Sequence, residues 1–118
     1  MVDLNLKRAK ALLKSAQELF DNNELAGVAG LAYQAFESLV MALAKDKDKP
    51  NHSYRSKLAI DMLKASKESL DKLWAARNVD FYGNANIDEE KRELLSDEIK
   101  ECLGIVSKFI RQIEEIDE

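Results

Sequence analysis

What this sequence holds least of narrows its class first. One cysteine, Cys102, permits no internal disulfide, so packing rather than cross-linking must hold the fold. One proline and four glycines are too few for a turn-dense all-β architecture and leave long stretches free to be helical. A single histidine and a single cysteine do not complete the common zinc ligand sets, so no metal site and no cofactor are expected. Long apolar runs are missing too: the longest, residues 39–44, is six residues, against the roughly 20 needed to cross a bilayer. The first eight residues lack the apolar stretch and small-residue cleavage site of a secretory signal. A cytoplasmic protein with no membrane attachment is the expectation.

What is present points to helices. Of 118 residues, 46% are hydrophobic and 34% charged, enough for one real core and too apolar for a disordered chain. The formal charge of −4 argues against a nucleic-acid-coating protein, but it is unevenly spread. Residues 1–59 carry nine Lys/Arg and seven Asp/Glu, whereas residues 60–118 carry nine and fifteen.

From Leu6, the apolar residues Ala9, Leu13, Ala16 and Phe20 recur at steps of three and four, which predicts a first amphipathic helix fraying at Asp21-Asn22-Asn23. A second helix is predicted over 24–45. Leu25, Val28, Ala29, Ala32, Phe36, Leu39 and Leu43 share its apolar face, and Leu31, Tyr33, Val40 and Met41 widen it. Such girth belongs to a helix that is central or at an interface. Gly27 and Gly30 are small enough to let a neighbour approach closely. A charged loop with Pro50 follows, and the helical pattern resumes over 53–82 with a break at 64–67, where Ser66 suits an N-cap. Gly83-Asn84 supplies a left-handed stop, and Asn86 with Glu89 has the form of a capping box opening a last helix. That helix aligns Leu95, Ile99, Cys102, Val106, Phe109, Ile113 and Ile116, which makes Cys102 an ordinary buried thiol. The expected architecture is a single all-α domain over residues 1–118, an up-and-down antiparallel bundle of four long helices with a short extra helix.

One residue breaks this pattern. Arg77 falls three residues after Trp74 and four after Leu73, on the apolar stripe of its helix. A guanidinium stays charged, so one placed there must find an acceptor. Two readings remain open at this point. Arg77 pairs internally with Asp80 at i,i+3 or with Glu37 from the second helix; or it faces a cleft where a phosphate replaces the carboxylate, with Asn78 and Tyr82 nearby.

The run Leu31-Ala32-Tyr33-Gln34-Ala35-Phe36-Glu37, the segment Asn51-His52-Ser53, and Ala76-Arg77-Asn78-Val79-Asp80-Phe81-Tyr82-Gly83 together resemble a HEPN domain. The similarity extends over about residues 6–113. It implies a four- or five-helix bundle that forms a symmetric homodimer. Many members are encoded beside a minimal nucleotidyltransferase as a toxin–antitoxin pair, and active members are metal-independent RNases. Their signature is an arginine, often followed by a polar residue, then four to six residues to a histidine at the dimer cleft. Arg77 and Asn78 match its start, but the windows that follow hold Tyr82, Gly83 and Asn84 and no histidine. Phenols are weak bases near neutrality, so Tyr82 suits donation to a phosphate better than activation of a ribose 2′-OH. Tyr33, Glu37 and Asp80 are the binding candidates around it.

His52, the one histidine, is either a residue satisfying backbone groups at a helix start or a lone candidate base, the latter only if its loop reaches Arg77 in the same or a partner subunit. Around it, residues 45–57 hold five basic and two acidic residues interleaved with Tyr54. Tyr54 and Arg55 could stack a base and hold phosphate as single-strand binders do, although alternating Lys and Asp also suits a solvated loop. The leading expectation is a homodimeric nucleotide- or RNA-binding module, or a toxin–antitoxin-type partner of a nucleotidyltransferase, with an incomplete RNase motif. The alternatives are an active metal-independent endoribonuclease using Tyr82 or His52, and a purely structural helical interaction module.

Overall fold

The computed structural model describes residues 4–43, 57, 59–61 and 64–116, and all regular structure among them is helical. Four long helices, α1 (Leu4–Asp21), α2 (Val28–Leu43), α3 (Lys67–Tyr82) and α4 (Ser96–Ile116), make the all-α bundle that the periodicity predicts. Residues 57 and 59–61 are also helical and belong to the short extra helix. Lys64 has a left-handed φ of +56°, and Ala65 N–H donates to Ala59 O at 3.2 Å.

The α1 helix buries Leu6, Ala9 and Ala16 and ends where the Asp21-Asn22-Asn23 run predicts. Asn23 takes the left-handed conformation (φ +61°), which its short polar side chain tolerates. The α2 helix begins at Val28 rather than at 24. Gly27 sits at φ +86°, outside helical geometry, so residues 24–27 form a turn instead of a first helical turn.

Nine of the sixteen residues of α2 are buried, including Tyr33, Phe36, Leu39 and Val40. The helix packs against all three other long helices, whereas α1 and α3 do not touch one another. Most of the wide apolar girth of α2 is thus buried within one chain, with Leu31, Met41 and Leu43 half-buried. Phe36 meets Phe109 of α4 with ring centroids 6.0 Å apart, and Tyr33 meets Trp74 of α3 at 5.6 Å.

Both ends of α3 carry their expected signals. The Ser66 side chain accepts the Ser69 N–H at 3.1 Å, and Gly83, at φ +84°, donates its N–H to Val79 O at 2.8 Å. The last helix starts later than the Asn86–Glu89 pattern predicts. Those two residues do bond each other, Asn86 Nδ2 to Glu89 Oε1 at 3.0 Å, but they close a surface turn. Arg92 N–H is drawn instead to Gly83 O at 2.7 Å, and α4 begins only where the Glu98 carboxylate accepts Leu95 N–H at 2.9 Å. Leu95 therefore precedes the helix and is exposed, whereas Ile99, Cys102, Val106, Phe109 and Ile113 form the buried stripe. The side chain of Ile116 lies outside the described residues.

Antiparallel neighbours are joined at the surface by Lys10–Glu114 between α1 and α4 and Lys72–Glu101 between α3 and α4, each at 2.7 Å. Among the described residues no helix is long and apolar enough to cross a membrane.

Candidate functional site

The C-terminal half of α3 gathers the unusual residues. Its helical spacing puts Trp74, Arg77 and Phe81 on one side, with Tyr82 at the helix end before Gly83 stops it. Arg77 is half-buried and surrounded by rings: its Cζ lies 4.9 Å from the Trp74 and Phe81 centroids, 5.7 Å from Tyr82 and 5.8 Å from Tyr33. Cation–π attraction from four faces stabilises the guanidinium there by electrostatics that need no carboxylate. Its Nη1 donates to Asn78 Oδ1 at 2.8 Å, and its buried Nε has no acceptor among the described residues.

Neither internal ion pair predicted for Arg77 is found among the described residues. Asp80 is engaged elsewhere: Oδ1 accepts Gly27 N–H at 2.9 Å and Oδ2 accepts Gly30 N–H at 2.8 Å. The carboxylate expected to neutralise Arg77 instead satisfies the N-terminus of α2. Glu37 is half-buried on α2, one turn beyond Tyr33.

The structure brings Arg77, Asn78 and Tyr82 together with Tyr33 behind them, but in different roles from those expected. Tyr33 is 1% exposed, so it supports the guanidinium from inside the core and is not reachable by a ligand. Tyr82, at 61%, and Phe81, at 47%, are the rings that face outward, meeting edge to face with centroids 6.2 Å apart. The sequence reading passed over Phe81 and Trp74 as binding elements, although the i−3 and i+4 spacing about Arg77 carried the signal. His52, Tyr54 and Arg55 lie outside the described residues.

A groove of about 400 Å³ runs beside Asp80, lined by Leu25, Ala26, Val79, Leu94 and Ile99 among others. On its rim Arg92 donates to Glu98 from both terminal guanidinium nitrogens, Nη1 to Oε1 at 2.8 Å and Nη2 to Oε2 at 3.0 Å. The Arg92 hydrogen bond, helped by the Leu95 N–H, keeps the Glu98 carboxyl below the usual carboxylate range. Cys102 is 3% exposed, and burial, with the negative charges of Glu101 and Glu98, pushes its thiol up to about 11. Such a thiol stays protonated and unreactive near neutrality. Among the described residues no group of three or more His, Cys, Asp or Glu side chains could hold a metal ion.

Comparison with protein-family models, with curated protein sequences and with solved structures finds no match to this chain.

Proposed function

We propose that this chain is a homodimeric HEPN-type binding domain of the cytoplasm that holds single-stranded RNA or a nucleotide by its phosphate at Arg77. One observation carries the reading. Arg77 has no carboxylate partner among the described residues, and its charge is held by rings, two of which, Phe81 and Tyr82, are exposed beside it. A guanidinium next to outward-facing aromatics is the pairing that holds a phosphate and stacks a base. The likeness of residues 76–83 to the HEPN signature supports the same assignment, and a nucleotidyltransferase-type protein is the partner that it implies.

Binding rather than cleavage is the activity favoured, because no imidazole occupies the signature position and Tyr82 donates better than it accepts a proton. Fluorescence anisotropy with a short fluorescein-labelled oligo(A) tests this. Arg77→Ala should weaken binding at least about tenfold, the loss expected when a charged hydrogen-bond donor is removed. Tyr82→Ala should cost about 1–3 kcal/mol, the value of one stacked base, and Tyr82→Phe much less. Equal affinity in Arg77→Ala and the parent chain would refute the reading. Metal-independent cleavage of the same RNA, abolished by Arg77→Ala, would establish the nuclease alternative.

A further inference from the structure

The N-terminus of α2 has no side chain of its own to cap it. The two positions that ordinarily exchange capping bonds, the residue before the helix and the third residue within it, are Gly27 and Gly30. A single carboxylate from another helix takes both N–H groups, Asp80 Oδ1 from Gly27 at 2.9 Å and Oδ2 from Gly30 at 2.8 Å. Residues 50 and 53 positions apart are joined this way, so the bonds fix the end of α3 against the start of α2.

Two consequences reach Arg77. Both Asp80 oxygens are occupied by backbone donors, so the acid three residues from Arg77 is drawn away and the guanidinium has no carboxylate partner among the described residues. The contact also depends on Gly30 being bare: a Cβ there would lie 2.4 Å from Phe81 Cε1, 2.7 Å from Cζ and 3.1 Å from Asp80 Oδ2. Phe81 fills the room a side chain would need, and in that seat its ring centroid stands 4.9 Å from Arg77 Cζ. Trp74 stands at the same distance on the preceding turn.

We propose that Asp80 is a positioning residue for Arg77. Its paired bonds to Gly27 and Gly30 seat Phe81 on α2, hold the guanidinium between Phe81 and Trp74, and keep the Asp80 carboxylate away from it. The geometric part of this inference stands on the contacts alone; its effect on affinity rests on the reading of Arg77 as the phosphate-binding group.

The experiment is ¹⁵N-edited NMR on the full chain, read at the Gly27 and Gly30 amides and at Arg77 Nε–H, whose resonance reports the surrounding rings. Asp80→Asn preserves size but turns an amide NH2, itself a donor, toward one of the two glycine N–H donors. It should move both glycine amide protons upfield, shift Arg77 Nε–H, and weaken oligo(A) binding about threefold to tenfold. Gly30→Ala keeps the Asp80 side chain but presses a Cβ into the Phe81 ring and crowds Asp80 Oδ2, and it should shift the same Arg77 resonance. Should Asp80→Asn fail to fold, Gly30→Ala decides alone. Moved glycine amides with an unmoved Arg77 Nε–H in the folded variants would make Asp80 a helix cap only and overturn the proposal. If the parent chain does not bind oligo(A), the binding reading falls, while the Arg77 resonance still decides the positioning role.

Discussion

At the scale of single residues, the environment of a side chain sets its chemistry more than its type does. Cys102 is the example, a thiol whose burial keeps the proton on sulfur. Alkylation by iodoacetamide should be slow in the native protein near pH 7 and become fast on addition of denaturant. The sign for stability follows from the raised value. The contribution is fully present below the unfolded thiol range, near 8.5, and is lost as pH rises toward about 11. Urea midpoints should therefore fall across that alkaline window in the parent chain, and the part due to Cys102 should vanish in Cys102→Ala. Arg77 shows a different arrangement, a guanidinium seated in a half-buried place against aromatic faces. Trp74 is the single tryptophan and lies against that guanidinium, so Arg77→Ala should change its emission without any ligand present.

Sequence carried the position of Arg77 on the apolar stripe, because i,i+3 and i,i+4 spacing is a local property. It did not carry the partner of Asp80. Gly27 and Gly30 were legible as small residues allowing close approach, but which carboxylate would come to their amides depends on how α2 and α3 pack. Tyr33 misled for a related reason: its place on a motif-like run says nothing of depth, and three-dimensional packing put it in the core.

At the scale of elements, the ends of the helices are where local chemistry succeeded and failed. Ser66 and Gly83 bound α3 as their types dictate. Ser66→Ala should cost about 1 kcal/mol by removing the N-cap acceptor. Gly83→Ala should cost about 1–2 kcal/mol by forcing a Cβ into the left-handed region. Both are measurable as urea midpoint shifts at constant slope. The start of α4 was misread because Asn86 and Glu89 make the side-chain bond expected of a cap while the chain beyond them is held by Arg92. Arg92 ties this segment back to Gly83 through its backbone and forward to Glu98 through its guanidinium. Glu98 has a lowered folded value, so its contribution is present above the ordinary glutamate range and is lost as pH falls below about 4.3 through that value. Glu98→Gln should flatten the acid limb of the stability profile, and a variant profile parallel to the parent's would count against this lock.

At the scale of the whole molecule, the bundle is organised about α2, which touches every other long helix. Periodicity made this legible, since a helix apolar on several sides had to be central or at an interface; only the packing decided that the center of one chain absorbs it. Leu39, fully buried on α2, should be expensive to truncate: Leu39→Ala is expected to cost about 2–5 kcal/mol, read by chemical denaturation. The proposed dimer must then use surface other than the buried face of α2, and the exposed Phe81 and Tyr82 are the apolar surface nearest Arg77. Light scattering on the parent chain and on Tyr82→Asp separates the outcomes. A mass near twice 13.4 kDa that drops to one chain in the variant fits assembly through that end, whereas a single-chain mass in both excludes it across the concentrations measured.

The turn around Asn23 and Gly27 carries a kinetic consequence. It joins α1 and α2, adjacent in the chain and sharing the most extensive interface of the bundle. Contacts close in sequence cost little loop-closure entropy and form early, so this hairpin is the natural nucleus of folding. The α4 helix, tied to α1 through Lys10 and Glu114 more than a hundred residues apart, would then dock late. Small truncations within the α1–α2 interface should slow refolding, while truncations at Phe109 or Ile113 should chiefly hasten unfolding. The most persistent amide protection in native exchange should correspondingly lie in the middle of α2.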